Sequence, residues 1–148
     1  MSPRMKRVIL QLMKGHRIMS IATVRAGGWP QATTVTYAND GLTLYFCCDK
    51  TSQKVRNIRR DPRVSLTIDH DSKNWSRIRG LSLGGRAKVL SDSREIGLGL
   101  RLLSRKFPQL AATDPQKDPA LAVVRVVPKV ISVLDYTRGF GHTDLVRA

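Results

Sequence analysis

Residues 30–68 read PQATTVTYANDGLTLYFCCDKTSQKVRNIRRDPRVSLTI, and the order of patterns in this stretch decides the fold class. Its first part, QATTVTYA, is rich in Thr, Val and Tyr, which favours a β-strand. Asn39, Asp40 and Gly41 then form a turn of the kind that closes hairpins, and LTLYFCC follows as a second strand. Because residues 17–24 are also strand-like, the sequence predicts a three-stranded meander.

A short helix is predicted directly after LTLYFCC. Thr51 or Ser52 is placed to cap a helix through QKVRNIRR. Pro62 disfavours helical geometry at Asp61, so the helix should end near Asp61 after about two turns.

The start of this helix is a candidate anion site. A helix N-terminus exposes unpaired backbone N–H groups and a partial positive charge, both of which favour anions. The hydroxyls of Thr51 and Ser52 and the ammonium groups of Lys50 and Lys54 supply donors and no competing negative charge, as a phosphate monoester requires. The alternative is an ordinary serine cap flanked by surface lysines.

The remaining patterns complete a mainly β fold. Apolar residues recur at helical spacing before Gly15, and a capping box from Asp92 to Glu95 begins a third helix. The Gly84–Gly85 pair predicts a bulge or sharp bend in a long strand. LAVVRVV and VISVLDY are predicted as two strands divided by Pro128. Six or seven short strands favour a small closed or partly closed barrel, of α+β class, over βαβ units.

Composition restricts the class of protein. With 148 residues and 41% hydrophobic content, residues 1–148 should form one domain. No apolar run approaches the roughly 18 residues of a membrane span, so we expect a soluble, cytoplasmic protein. The only cysteines, Cys47 and Cys48, are neighbours on a predicted strand, so their side chains should point to opposite faces and cannot easily bridge each other. No spacing indicates a metal site.

The net charge of +15 predicts attraction to an anion without naming it. Nucleic acid, a phosphorylated cofactor and a merely solvated surface all fit this charge. A basic stripe recurs at i, i+3, i+4 and i+7, which could form a nucleic-acid footprint: Arg56, Arg59, Arg60 and Arg63. Aromatic residues make up only 5% of the chain and are not interleaved with the stripe, so base stacking has little support.

The stretch from residue 30, followed by GRAKVL, resembles the flavin-binding split-barrel superfamily named for pyridoxamine 5'-phosphate oxidase. The resemblance covers residues 5–135. Its most specific part is the order of a Pro-initiated strand, a hairpin, a strand, a Ser-x-Lys phosphate corner and a basic helix closed by Asp-Pro. The fold this implies is a homodimeric split barrel with short peripheral helices.

The same resemblance implies a set of FMN-binding residues. The isoalloxazine ring would lie along one strand, with Cys47 and Cys48 flanking the ribityl chain. Ser52, Gln53 and Lys54 would hold the phosphate; Gln53 stands where the oxidase usually carries Arg, with Lys50 as a compensating cation. The cofactor would sit between two subunits. The ring-binding strand would contribute Thr33, Thr34, Val35 and Thr36.

The C-terminal sequence VLDYTRGFGHTDLVRA lacks the Arg-x-x-Arg type signature with which the oxidase grips its substrate. The resemblance therefore implies an FMN-binding oxidoreductase that acts on a small molecule other than pyridoxamine phosphate. Phe140 and His142 would cover the cofactor cleft if the tail folds over it; otherwise the tail frays. A deazaflavin-dependent reductase of the same fold is the alternative, haem capture is a weaker one, and a nucleic-acid-binding barrel is an alternative of another class.

Overall fold

The computed structural model describes residues 1–148 as one curled antiparallel sheet with helices packed around it. The helices are α1 (Pro3–Gly15), α2 (Gln53–Arg60), α3 (Ser93–Lys106) and the single turn α4 (Pro108–Ala111). The strands are β1 (Ile18–Val24), β2 (Pro30–Thr36), β3 (Ala38–Asp40), β4 (Thr43–Asp49), β5 (Arg63–His70), β6 (Arg79–Val89), β7 (Leu121–Asp135) and β8 (Thr143–Arg147). Short 3-10 turns span Trp75–Arg77, Pro115–Lys117 and Tyr136–Arg138.

The sheet has the strand order β2-β1-β5-β6-β7-β4-β3, and β8 pairs with β7. Every pairing is antiparallel, and β2 also contacts β4 because the sheet curls back on itself. The mainly β split-barrel architecture expected from the sequence is therefore confirmed. No helix is long and apolar enough to cross a bilayer.

The barrel interior is filled by alternate residues of the strands. On β1, for example, Met19, Ile21 and Thr23 point inward and are buried. Helix α1 closes one opening of the barrel with Ile9 and Met13, which join the same core cluster. The outer faces of β1, β2 and β5 are not covered by any helix, so those strands have one buried and one exposed face.

Strand β7 differs from the prediction. LAVVRVV and VISVLDY form one continuous strand, and Pro128 lies within it. The register shifts between Gly84 and Gly85 of β6, where Gly85 faces Pro128. A Cβ on Gly85 would lie 2.5 Å from the Val127 carbonyl oxygen, so only glycine fits. The predicted bulge is present, and it accommodates Pro128 because a bulge does not require the missing N–H.

The C-terminal segment forms a strand rather than a frayed end. β8 pairs with the second half of β7, from Thr143 opposite Leu134 to Arg147 opposite Val130. The short strands β3 and β8 raise the count to eight, where the sequence analysis counted six or seven. Thr143–Arg147 alternates exposed and half-buried positions, a pattern too short to stand out in the sequence.

A candidate anion-binding corner at the start of helix α2

The predicted phosphate corner is formed where β4 turns into α2. β4 ends at Asp49, and two backbone hydrogen bonds shape the turn that follows. Lys50 N donates to the Ala120 carbonyl oxygen at 2.8 Å, and Ser52 N donates to the Asp49 carbonyl oxygen at 3.0 Å. Helix α2 begins at Gln53 and ends before Asp61, as the position of Pro62 predicted.

The N-terminus of α2 has no side-chain cap. Ser52 occupies the N-cap position, but its hydroxyl makes no capping hydrogen bond and lies 3.7 Å from Cys48 Sγ instead. In contrast, the Ser2 and Asp92 side chains cap α1 and α3 at 3.2 and 3.1 Å. The first turn of an α-helix leaves its N–H groups without intrahelical partners, so those of α2 are open to a ligand.

Charge at the start of α2 also favours an anion. The first turn contains no acidic residue, and Lys54 is its second residue. A cation at this position opposes the helix dipole, which makes it unfavourable for the helix itself. Burial raises the pKa of the Cys48 thiol, and Lys54 lies close enough to offset part of that rise.

The corner contains one negative charge that the sequence analysis overlooked. The Asp49 carboxylate accepts hydrogen bonds from Thr51 N at 2.7 Å and from Thr51 Oγ1 at 2.6 Å. These two hydrogen bonds hold the pKa of Asp49 below its usual value. The four predicted side chains bring no negative charge, but Asp49 adds a carboxylate to the corner, and Thr51 is already paired with it. The Ser52 hydroxyl makes only the 3.7 Å contact with Cys48 Sγ, so the available donors are Ser52, Lys54 and the first N–H groups of the helix.

Gln53 has a structural partner rather than a free amide. Its Nε2 donates to Asn57 Oδ1 at 2.8 Å, and Arg56 donates to Gln53 Oε1 at 2.7 Å. Asn57 is fully buried and donates to Thr23 Oγ1 at 2.9 Å and to Gln31 Oε1 at 3.2 Å. This polar network fixes α2 on strands β1 and β2. The sequence analysis missed it, although an Asn between Val and Ile on the buried face of a short helix is a readable signal.

The two cysteines lie on opposite faces of β4. Cys48 packs against the barrel core beside Ser52 and Lys54, whereas Cys47 packs beneath α3 against the clusters that contain Leu100 and Leu103. Burial raises the pKa of both thiols, and the Ser52 hydroxyl partly offsets this for Cys48. Of the two predicted cysteines, the structure brings Cys48 to the corner.

Strand β2 presents its four predicted residues alternately. Thr33 and Val35 face inward, and Thr34 and Thr36 are exposed. The Thr33 hydroxyl is buried and has no hydrogen-bond partner. It shares a strand face with Gln31, which contacts the Asn57 amide of α2. β2 is also an edge strand, so part of its backbone N–H and C=O groups have no strand partner.

Phe140 and His142 lie at the other end of the sheet. β7 runs from Leu121, which faces Asp49, to Asp135, whose N–H donates to the His142 carbonyl oxygen. His142 Nε2 contacts Asp144 at 3.1 Å, and Phe140 is exposed. Within one chain, neither side chain reaches the corner.

The basic stripe is largely engaged within the protein. Arg56 donates to the Thr51 carbonyl oxygen at 2.6 Å, Arg60 donates to the Val24 carbonyl oxygen, and Arg63 pairs with Asp61 at 2.7 Å. Hydrogen bonds from Arg63 lower the pKa of Asp61 to about 2. Of the four, only the Arg59 side chain makes no such bond. No cluster of three or more His, Cys, Asp or Glu residues could hold a metal ion.

The fold is a split barrel, and the uncapped start of α2 is its candidate anion site. Residues 5–135 match the pyridoxamine 5'-phosphate oxidase family, and the chain belongs to that family. This confirms the resemblance seen in the sequence. The chain is 27% identical over 130 residues to general stress protein 26 of Bacillus subtilis, with 88% of each chain covered.

Solved structures agree on the fold. A Listeria innocua protein named for the same oxidase has a TM-score of 0.74 and 26% identity, with 88% of this chain and 98% of that chain covered. A haem-binding protein of Mycobacterium smegmatis has a TM-score of 0.83 at 19% identity. The match covers 99% of this chain but only 59% of the Mycobacterium smegmatis protein. Members of this fold class therefore differ in what they bind.

Proposed function

We propose that this protein binds FMN at the start of α2 and acts as an oxidoreductase on a small organic substrate. The observation that carries the proposal is the uncapped N-terminus of α2. Of the three helices longer than one turn, only α2 lacks a side-chain cap, and it combines that with a lysine in its first turn. Both features are unfavourable for a helix alone and favourable for a bound phosphate.

The phosphate would be held by donors of three kinds. The Ser52 hydroxyl and the first N–H groups of α2 would donate neutral hydrogen bonds, and the ammonium groups of Lys54 and Lys50 would add charge-assisted ones. Thr51 is already bonded to Asp49, so it would orient the turn rather than the ligand. The Gln53–Asn57 network would keep α2 in place while the phosphate binds.

Strand β2 would support the ring system. Its edge position offers backbone donors and acceptors to the polar edge of a flavin, and Thr33 offers an unpartnered hydroxyl. Val35 would supply apolar packing, and Thr34 and Thr36 would contact ligand only on the outer face. Cys48 would border the ribityl chain, whereas Cys47 packs beneath α3. These residues fit a group with a flat ring at one end and a phosphate at the other.

Bound FMN would supply the hydride or electron transfer, so the chain itself needs no catalytic acid or nucleophile. Its own residues would bind the phosphate, orient the ring and exclude water from one side of it. The electron donor would be a reduced nicotinamide or the substrate itself.

A homodimer would complete the site. The outer faces of β1, β2 and β5 carry small exposed side chains and are not covered by a helix, which suits contact with a second copy. Exposed Ile18 and Leu145 add apolar surface that a partner would bury. In such a dimer, Phe140 and His142 of one chain could cover the cofactor of the other, which a single chain does not allow.

A deazaflavin coenzyme is the second candidate, because positive charge near the start of α2 would attract its polyanionic tail. Lys50, Arg56 and Arg59 are exposed there, in a chain of net charge +15. Nucleic-acid binding is less well supported, since three of the four arginines in the basic stripe are bonded within the protein.

The visible absorption spectrum of the protein, recorded as purified and after addition of FMN, deazaflavin or haem, tests the proposal. We expect a flavin spectrum that is retained through gel filtration and bleached by a reduced nicotinamide or dithionite. A Soret band formed with haem, without retention of either flavin, would contradict the proposal. Retention of deazaflavin alone would show that the cofactor is the deazaflavin coenzyme rather than FMN.

A further inference from the structure

Three aromatic rings form an exposed cluster at the end of the sheet opposite the α2 corner. Trp75 and Phe140 are 66% and 79% exposed, and their ring centroids are 6.0 Å apart. The Tyr136 ring lies 5.1 Å from that of Phe140. Large aromatic side chains grouped on a surface mark binding sites more often than solitary ones do. No other element of the chain covers this aromatic cluster.

A basic cavity of about 400 Å³ adjoins the same end of the sheet. It lies between α1 and the ends of β5 and β6, and its lining is mostly polar. His70 is held at its rim by His16, whose Nε2 lies 3.2 Å from His70 Nδ1. The lining residues are Val8, Gln11, Leu12, His70, Arg77, Arg79 and Thr137.

The positive charge of this cavity is only partly neutralised. Asp135 pairs with Arg79, accepting a hydrogen bond from Arg79 Nε at 3.3 Å, and it also accepts hydrogen bonds from the backbone N–H and hydroxyl of Thr137. The Arg77 side chain makes no hydrogen bond and no ion pair within the chain, and it lines the cavity. A free guanidinium is well suited to a phosphate or carboxylate.

The aromatic cluster and the cavity share the same two 3-10 turns. Trp75–Arg77 supplies one ring and the free guanidinium, and Tyr136–Arg138 supplies a second ring and the Thr137 wall. The turns are joined by Tyr136 N, which donates to the Ile78 carbonyl oxygen at 3.0 Å. Along β5 this end lies about 23 Å from Arg63, at the α2 end of the strand.

We propose that this end of the barrel binds a second small ligand, a nucleoside phosphate. Its phosphate would bind to Arg77 in the cavity, and its base would stack on Trp75 and Phe140. Stacking on an aromatic side chain is compatible with any base, and charge-assisted hydrogen bonds to phosphate supply the second anchor. This inference needs no flavin at the α2 corner of the same chain, and it assigns Phe140 to the nucleoside base rather than to a cover over a partner's cofactor.

The test uses AMP as the probe in a Trp29→Phe variant, in which Trp75 is the only tryptophan. We expect saturable quenching of Trp75 fluorescence by AMP. Adenosine lacks the phosphate and inorganic phosphate lacks the base, so each should bind at least about tenfold more weakly than AMP. Absence of saturable AMP binding, or equal binding of adenosine and AMP, would overturn the proposal.

Four further variants in the same background locate the site. Arg77→Gln should weaken AMP at least about tenfold, and Phe140→Ala about fivefold. Arg94→Gln removes an exposed arginine that has no partner elsewhere on the chain and should leave AMP affinity unchanged. The double variant Ser52→Ala/Lys54→Ala should also bind AMP normally. Loss of AMP binding in that variant, or no change in Arg77→Gln, would place AMP elsewhere and overturn the proposal.

Discussion

Helices α2 and α3 begin alike in sequence and differ in how their first turns are satisfied. Each follows a strand, each is amphipathic, and each carries a basic second residue, Lys54 or Arg94. In α3 the Asp92 carboxylate caps the backbone at Glu95. In α2 the corresponding Ser52 makes no cap. The start of α3 is therefore stabilised by its own cap, whereas the first N–H groups of α2 have no side-chain partner, as the proposed phosphate site requires.

The two helices are also held on the sheet by different forces. α3 packs through apolar side chains, and it approaches so closely at Gly99 that a Cβ there would lie 2.9 Å from Val123 Cγ1. α2 has only eight residues and adds the buried amide of Asn57 to its apolar contacts. A polar anchor has strict geometry, which would keep an uncapped N-terminus in a fixed position.

The largest expected effect on stability comes from removing this polar anchor. Asn57→Ala would leave Thr23, Gln31 and Gln53 without a buried partner, and we expect a loss of about 2 kcal/mol of unfolding free energy. Urea denaturation measures the loss. Arg59→Ala, an exposed change on the same helix, should stay within about 0.5 kcal/mol of wild type. Equal stabilities of the two variants would show that the network does not hold α2.

Removal of the N-cap side chain should lower stability at α3 but not at α2. Asp92→Ala should lower the unfolding free energy by about 1 kcal/mol because α3 loses a cap that the native state uses. Ser52→Ala should leave stability within about 0.5 kcal/mol of wild type, since no capping bond is lost. Thermal melts of both apoproteins measure the difference. A similar loss in both would mean that Ser52 caps α2 in solution.

A smaller effect is expected from the carboxylate of the corner. Asp49→Asn keeps an oxygen acceptor for Thr51 but removes the negative charge, so FMN affinity should rise about threefold. Titration of flavin fluorescence at low and high salt measures this, and the gain should shrink at high salt. Asp71→Asn is the matched control, because Asp71 is an exposed carboxylate that follows β5 at the end of the strand away from α2. A lower affinity in Asp49→Asn would show that the carboxylate organises the corner.

The smallest effect concerns the far end of α3. Lys106 donates to the Met13 carbonyl oxygen at 3.3 Å and lies 4.0 Å from the Tyr37 ring centroid. Burial, reinforced by Arg17, lowers the pKa of Lys106 from 10.5 to about 8. Above about pH 8 the unfolded chain therefore holds a proton that the folded chain releases, and the unfolding free energy should rise with pH.

Urea denaturation between roughly pH 7 and 9 measures this rise. The upper limit reduces the opposing effect of the two thiols, which grows as the pH reaches their ordinary pKa of 9.0, because burial raises their pKa values in the folded chain. Lys106→Met should flatten the rise, whereas Lys14→Met, a change in the exposed last turn of α1, should retain it. An unchanged slope in Lys106→Met would assign the rise to another group.

Local patterns predicted the fold because strands, caps and breakers act over a few residues. The position of Pro62 ended α2 correctly, and the Gly84–Gly85 bulge was expected. The continuity of β7 through Pro128 could not be read from the chain, since it depends on which residue of β6 lies opposite. The predicted division of the strand at Pro128 is therefore wrong, because the tertiary pairing of β7 with β6 allows the strand to continue through the proline.

The site was less accessible to sequence reasoning than the fold. Residue types identified the corner, but the hydrogen bonds of Asp49 and Asn57 depend on side-chain directions that spacing does not determine. Alternation predicted that the two cysteines face opposite ways, without saying which one meets Ser52. The Trp75–Phe140 contact joins residues far apart in the chain, so no local pattern could reveal it.

Titration of FMN against Ser52→Ala/Lys54→Ala tests most directly whether the open start of α2 binds a cofactor phosphate. Two donors to a dianion are lost together, so we expect an affinity at least about tenfold lower, or about 1.4 kcal/mol, with the apoprotein as stable as wild type. Arg94→Ala, the matching change on α3, should bind FMN as wild type does. Wild-type affinity in the double variant would contradict the account.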